Sequence, residues 1–371
     1  MKKEKRNNLR FDSRAAYIPP DEATKAVTPP IVMASSFQYD RDIFQRILDG
    51  ERKDVNIYGR CGNPSEYQFE DQMMVIEGAN ACLATASGMA AISITLLGLL
   101  KSGDHIVCDW TTYSSTHEML DHRLTDYNIE TTFVDTADTA AIEAAIRPNT
   151  KVIYFETIAN PSMKVAPIAP IVKIAHDRGI VVVCDNTFAS PYVMRPLDFG
   201  VDIVVESATK FIGGHSDVLG GAICMKSELL PDDFLEQIRW NTMVKLGAPL
   251  APFNAWMLGR GIQTLSVRLE RACRSAATLA AYFENHPSVK QVWYPGLESH
   301  PQHHIAKEQM PKFGGMLTFE VEGGDEALTV LDNLELSCFS ASLGGVRTTT
   351  QIPALMAFLD IPIEQRLEMG I

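Results

Sequence analysis

Lys210 stands in S-A-T-K-F-I-G-G-H-S-D-V-L-G-G (207–221), just past an apolar run at 201–205. Hydroxyl side chains and four glycines surround this one cation. A solvated lysine needs no such company. A reactive amine does, because it must be held in place while its reaction partner approaches the backbone. Asp185 ends another apolar run, V-V-V-C-D (181–185), twenty-five residues earlier. Open α/β sheets gather their ligands at the carboxyl ends of the strands. An acid and a lysine on that edge suit pyridoxal phosphate. The lysine condenses with the cofactor aldehyde as an imine. The carboxylate keeps the ring nitrogen protonated, so the ring can accept electrons released at a substrate Cα. Ser207 and Thr209 offer hydroxyl donors to a phosphate. Ser87-Gly88-Met89 opens a helical pattern whose first N–H groups and dipole favour an anion.

The elements that must position these groups alternate along the middle of the chain. Ser65 opens a helical pattern in which Phe69, Met73 and Ile76 share a face, with Ser65 as its expected N-cap and Gly78 as its stop. Strands are expected at 81–86, 105–109, 131–135, 151–156, 179–187, 201–207 and 221–225, with helices after Ser87 and over 116–124 and 170–179. Short Val/Ile-rich strands without polar alternation, separated by helices, predict a mostly parallel α/β sheet covered on both faces. From about Pro249 the pattern changes to one long helix over 254–283, followed by an alternating strand at 314–321. That predicts a smaller α+β domain at the C-terminal side. Residues 1–60 read as irregular and polar.

Composition narrows the function. Apolar residues make up 46% and charged ones 21%, which suits an ordinary globular protein rather than a disordered one. A net charge of −13 argues against nucleic acid. The basic start (Lys2, Lys3, Lys5, Arg6) has no apolar segment behind it and reads as a frayed, soluble tail. No stretch approaches the roughly 18 uninterrupted apolar residues of a membrane span. The seven cysteines are scattered and never form C-x-x-C, which predicts reduced thiols in a cytoplasm and no zinc site. His303-His304 reads as a surface pair in a polar loop. No G-x-G-x-x-G follows a first strand, which removes the support for a nucleotide-dependent oxidoreductase.

Six stretches run in order along the chain: Y-G-R-C-G-N-P-S (58–65), A-S-G-M-A-A-I (86–92), E-T-I-A-N-P (156–161), D-N-T-F-A-S-P (185–191), the Lys210 segment (207–221) and S-L-G-G-V (342–346). Together they resemble the Cys/Met-metabolism family of pyridoxal-phosphate enzymes, which includes cystathionine γ-lyase, methionine γ-lyase, cystathionine β-lyase and the homoserine-ester sulfhydrylases. The resemblance implies the aspartate-aminotransferase-like fold, type I. It divides the chain into an N-terminal arm (1–60) that contacts a neighbouring subunit, a large cofactor domain (61–247) and a smaller C-terminal domain (248–371). It implies pyridoxal 5'-phosphate as cofactor and Lys210 as the imine lysine and proton shuttle. Asp185 would then pair with the ring nitrogen, and Tyr113 would stack on the ring and take part in proton transfer. Gly88, Met89, Ser207 and Thr209 would hold the phosphate. Tyr58 and Arg60 would reach that phosphate from the neighbouring subunit of a dimer, commonly within a homotetramer. Asn160 would contact the ring oxygen and the substrate, and Ser342 the substrate carboxylate.

The activity so implied is carbon–sulfur γ-elimination from a sulfur amino acid, giving a 2-oxo acid, ammonia and a thiol. The alternatives are γ-replacement, as in sulfhydrylases and cystathionine γ-synthase, or a cofactor-binding but catalytically impaired member. Two departures bear on that choice. Q-I-P-A-L-M-A-F (351–358) stands where the family has H-P-A-x-x-T-H, and Arg347 stands where lyases commonly carry a glutamate. Arg347 is expected to favour a substrate with an anionic or neutral distal group. The sequence also stops before the family's last strand, whose arginine grips the substrate carboxylate, and its final helix; Arg366 is only a weak substitute. Ser115 falls where methionine γ-lyases place a cysteine, which mildly disfavours a dedicated methionine γ-lyase.

Overall fold

Seven segments, all but the edge strand β3 rich in apolar residues, pair into one sheet: β1 (Ala81–Thr85), β2 (His105–Asp109), β3 (Glu130–Val134), β4 (Thr150–Glu156), β5 (Val181–Asp185), β6 (Ile203–Glu206) and β7 (Gly221–Met225). The computed structural model describes residues 6, 8–51, 55–356 and 363–368. The strand order is β1-β7-β6-β5-β4-β2-β3. β7 runs antiparallel to both of its neighbours. The remaining pairs are parallel. Successive side chains of a strand point to opposite faces, and here both faces are buried. Val107, Ile153 and Phe155 enter one core, with Phe69, Met73 and Ile76 of the helix Pro64–Glu77. Ile106, Val152 and Tyr154 enter the other, with Ile92, Ile94 and Leu96 of the helix Gly88–Leu99. Two-sided burial is why the strands carry no polar alternation.

The helix Pro64–Glu77 is capped two residues before the expected site. Asn63 is its N-cap, its side chain accepting from Ser65 N–H at 2.9 Å, with Pro64 in the first turn. Ser65 Oγ instead accepts from Val32 N–H at 2.9 Å, tying the N-terminal segment to this helix. Gly78 ends the helix at φ 74°, the left-handed conformation that glycine adopts without penalty. The first sixty residues are less irregular than expected, since Phe11–Ala16 and Arg41–Leu48 are helical. Phe11 stacks edge-on against Tyr192 at 5.3 Å, so tertiary contact holds a helix too short to stand alone. Lys2, Lys3 and Lys5 lie outside the described residues. Arg6 is not a frayed charge, because it is buried with its guanidinium over the Tyr17 ring.

The long C-terminal helix is two, Pro252–Ile262 and Leu265–Glu284, broken at Gln263-Thr264. Gln291–Trp293 pairs antiparallel with Thr318–Glu320, the core of the expected strand. Cys338–Phe339 pairs in parallel with Thr349–Thr350. His303-His304 opens the helix His303–Gln309 rather than sitting in a loop. Among the described residues no helix is long and apolar enough to cross a membrane.

Candidate active site

Asp185 and Lys210 both follow strand ends on the carboxyl edge of the sheet. Asp185 closes β5, and Lys210 lies in the turn after β6. Asp185 Oδ1 accepts from Thr187 N–H at 3.0 Å, and Oδ2 from the Tyr154 hydroxyl at 3.5 Å. Burial pushes the Asp185 carboxyl up; the Thr187 and Tyr154 hydrogen bonds and the Lys210 charge act against it. Lys210 is half-buried, and burial lowers its ammonium while Asp185 opposes the change. A lysine so perturbed releases its proton more readily than a solvated one. Lys210 Nζ donates to Ser342 Oγ at 2.8 Å. The segment carrying Ser342 lies against the lysine's own backbone. A Cβ on Gly344, at φ 81°, would come within 2.7 Å of the Lys210 carbonyl carbon and 2.5 Å of Phe211 N.

The turn after β1 forms a cradle. Ser87 caps the helix Gly88–Leu99 through a hydrogen bond from Ala90 N–H to its Oγ at 3.1 Å, leaving the Gly88 and Met89 amides at the open end of the dipole. A Cβ on Gly88 would meet Ser207 Cβ at 2.6 Å and Oγ at 2.8 Å, so only glycine lets the helix start this close to Ser207. Ser207 N–H in turn donates to Thr187 Oγ1 at 2.8 Å. Thr187 therefore links the aspartate end to the Ser207 end. The Thr209 hydroxyl is engaged inside its loop, donating to Gly220 C=O at 3.2 Å and accepting from Gly220 N–H at 3.1 Å.

Tyr113 and Asn160 meet at one carboxyl. Glu156 Oε1 accepts from Tyr113 N–H at 2.6 Å and Oε2 from Asn160 N–H at 3.1 Å. The Tyr113 ring is 40% exposed, as a group facing a ligand must be. Met89 Sδ accepts from the Thr116 hydroxyl at 3.8 Å, which joins the cradle to the Tyr113 helix. Tyr58 and Arg60 are held otherwise. Tyr58 is exposed with the Arg60 guanidinium 5.6 Å from its ring centre, and Arg60 Nη1 donates to Val244 C=O at 2.7 Å. Ser342 C=O accepts from Gln351 Nε2 at 2.7 Å, while Arg347 is exposed. Arg366 Nη1 donates to Ala354 C=O at 2.8 Å, and Ser115 is half-buried in the helix after Tyr113.

A second carboxyl pair lies behind Ser207. Glu77 and Glu206 are 0% and 1% exposed. Burial pushes the Glu77 carboxyl up to about 7, and burial together with Glu77 pushes the Glu206 carboxyl well up. Unfolded, Glu77 titrates near 4.5. The folded protein thus holds the extra proton between these values, and this contribution to stability is lost as pH rises through about 7. Glu77→Gln stays neutral, so its Tm relative to wild type is expected to be higher at pH 8 than at pH 5. An equal difference at both values would exclude the effect.

Residues 15–371 match the family described as Cys/Met metabolism PLP-dependent enzyme. The chain belongs to that family. L-methionine gamma-lyase of Fusobacterium nucleatum subsp. nucleatum is 43% identical over 350 residues, covering 92% of this chain and 86% of the relative. Cystathionine gamma-lyase of Bacillus subtilis is 39% identical over 351 residues, covering 95% and 89%. The crystal structure of cystathionine gamma-lyase from Lactobacillus plantarum complexed with L-serine superposes with a TM-score of 0.90 at 37% identity, covering 98% of this chain and 92% of that one. The fold is therefore type I, as expected. The chain is a pyridoxal 5'-phosphate enzyme of sulfur amino-acid metabolism, and its relatives place it among the carbon–sulfur lyases.

The residues present fit the cofactor. The glycine cradle with two open amides suits a phosphate, a buried carboxyl suits a ring N–H, and a lysine of lowered pKa suits an aldehyde. Among the described residues no group of three or more His, Cys, Asp or Glu is placed to hold a metal ion. Thr187 and Glu156 had no assigned role at the sequence level. Thr187 carries a local signal, since a threonine two residues past an aspartate often bonds back to it. Glu156 carries only its register, directly opposite Asp185.

Proposed function

We propose that this chain catalyses γ-elimination from a sulfur amino acid of the methionine, homocysteine or cystathionine type, releasing a 2-oxo acid, ammonia and a thiol. The observation that carries this reading is Lys210 Nζ, lowered by burial and aimed by Ser342 Oγ at 2.8 Å. Two relatives named methionine and cystathionine γ-lyase support it. When bound, pyridoxal phosphate supplies an electron sink that acidifies the substrate Cα.

The chain's own groups do the rest. Lys210 Nζ would hold the cofactor at its aldehyde, and its amine is the group that would accept and return a proton at the substrate Cα. Asp185 would face the ring nitrogen; burial raises its carboxyl, and the Thr187 and Tyr154 hydrogen bonds and the Lys210 charge oppose that rise and favour the anion that a ring N–H needs. The Gly88 and Met89 amides and the Ser207 and Thr209 hydroxyls would hold the phosphate, and Asn160 would hold the ring oxygen. Tyr113 covers the ring and exchanges a proton with the substrate. Ser342 passes from Lys210 to the substrate carboxylate. Tyr58 and Arg60, exposed and paired with each other, serve the phosphate of a second copy, within a cytoplasmic homotetramer built from dimers. The segment 1–60 is the arm that makes this contact, 61–247 the cofactor domain and 248–371 the smaller domain.

A second reading, γ-replacement, is favoured by Arg347, an exposed cation in the segment that follows Ser342, whose charge suits an anionic distal ester group. The test is a panel of methionine, homocysteine, cystathionine and O-succinylhomoserine, with and without an added thiol. Release of 2-oxobutyrate and ammonia from the first three is expected. Thioether from the ester and thiol, with no oxo acid from any of the four, would overturn γ-elimination.

A further inference from the structure

We propose that Glu156 is a positioning residue for the reaction. Its single carboxyl fixes the two loops that present Tyr113 and Asn160, through hydrogen bonds of 2.6 and 3.1 Å from their backbone N–H groups. Glu156 ends β4 and is 7% exposed. The bonds it accepts come from two different connections, one after β2 and one after β4. Tyr113 is a pivot between this anchor and a helix: its N–H goes to Glu156, while its C=O accepts from Thr116 and His117 N–H at 2.8 and 2.9 Å. A second brace joins the same two connections. Lys164 Nζ lies 2.9 Å from both Asp109 and Asp135, with Asp109 Oδ1 also accepting from Thr111 N–H at 2.7 Å. The Tyr113 backbone is thus pinned while its ring stays exposed, which is how a group is aimed without being covered.

Only a carboxyl can fill this place. Both of its oxygens accept, so both N–H groups are satisfied at once. An amide of the same shape accepts at one end and presents N–H against N–H at the other. The charged and titratable groups around it include Asp185 and Cys184 on β5, Asp109 and Cys108 on β2, and the Tyr154 hydroxyl on β4 itself. Burial, then Asp185, push the Glu156 carboxyl well up, and the two N–H bonds oppose them. Moving or removing it alters both the aim of Tyr113 and the field at Asp185.

This role rests on the reading of Tyr113 given above, and the experiment separates the two. Glu156→Gln, Glu156→Asp and Tyr113→Phe holoenzymes are compared with wild type in cofactor affinity, Tm, kcat, KM and the pH profile of kcat/KM. For Glu156→Gln, kcat is expected to fall about 10- to 100-fold with KM and cofactor affinity within about threefold, because misaiming a proton-transfer group costs rate rather than binding. The limb of the profile that Tyr113→Phe removes should shift by at least about half a pH unit, and Glu156→Asp should recover part of the rate. Should Glu156→Gln fail to fold, Glu156→Asp carries the same readouts, with a smaller loss and a shifted limb expected. A profile superimposable on wild type overturns the role, as does a rate loss that only tracks lost cofactor and lowered Tm. If Tyr113→Phe leaves the limb in place, the reading of Tyr113 fails and this role fails with it. If Tyr113→Phe removes the limb and neither Glu156 variant moves it, only this role fails.

Discussion

Lys210→Ala is expected to lose the visible band that borohydride abolishes in wild type, and to lower kcat at least about 10⁴-fold on every substrate. Two functions leave with one amine, the bond to the aldehyde and the proton transfer at Cα. No neighbouring group replaces it. Ser342, its hydrogen-bond partner at 2.8 Å, is a hydroxyl that neither condenses with an aldehyde nor accepts a carbon-bound proton at neutral pH. Lys210→Arg should fare as badly, because a guanidinium stays protonated and burial lowers it far less than the change requires. Absorption spectra and single-turnover rates check both variants. A Lys210→Ala enzyme keeping more than about a hundredth of wild-type kcat would remove the lysine from the mechanism.

Asp185→Asn carries the next largest effect, a fall of about 10³-fold in kcat/KM. Burial pushes this carboxyl up. Two hydrogen bonds from Thr187, one from Tyr154 and the Lys210 charge keep its anion in reach. An amide has the same outline and no charge, so the ring nitrogen loses its reason to stay protonated and the electron sink weakens. Asp185→Glu keeps the charge with one methylene too many and should recover part of the loss. The absorption maximum and its pH dependence should shift in Asp185→Asn even where cofactor remains bound. Activity within tenfold of wild type would mean that the carboxylate does not face the ring nitrogen.

The sheet was legible because its strands are buried on both faces, which leaves unbroken apolar runs that polar alternation cannot disguise. Asp185 and Lys210 were legible for a related reason: Asp185 closes one such run, and Lys210 lies in the short turn that follows another. Other features depend on contacts that sequence distance hides. The Glu156 carboxyl meets the Tyr113 amide 43 residues away, and no spacing rule connects a strand end to a loop in another crossover. The N-terminal helices were hidden because packing, as of Phe11 on Tyr192, outweighs weak local propensity. Ser65 was mistaken for a cap because Asn63-Pro64 meets the same chemical need two residues earlier.

The bridging threonine at 187 has a metrical consequence. One residue receives Ser207 N–H on its hydroxyl and gives its own N–H to Asp185. The span from carboxylate to cradle is therefore ruled off by a single side chain and a single peptide unit, like the fixed jaws of a caliper. A vitamin B6 analogue lengthened by one carbon between ring and phosphate cannot touch both jaws unless one of those two bonds breaks.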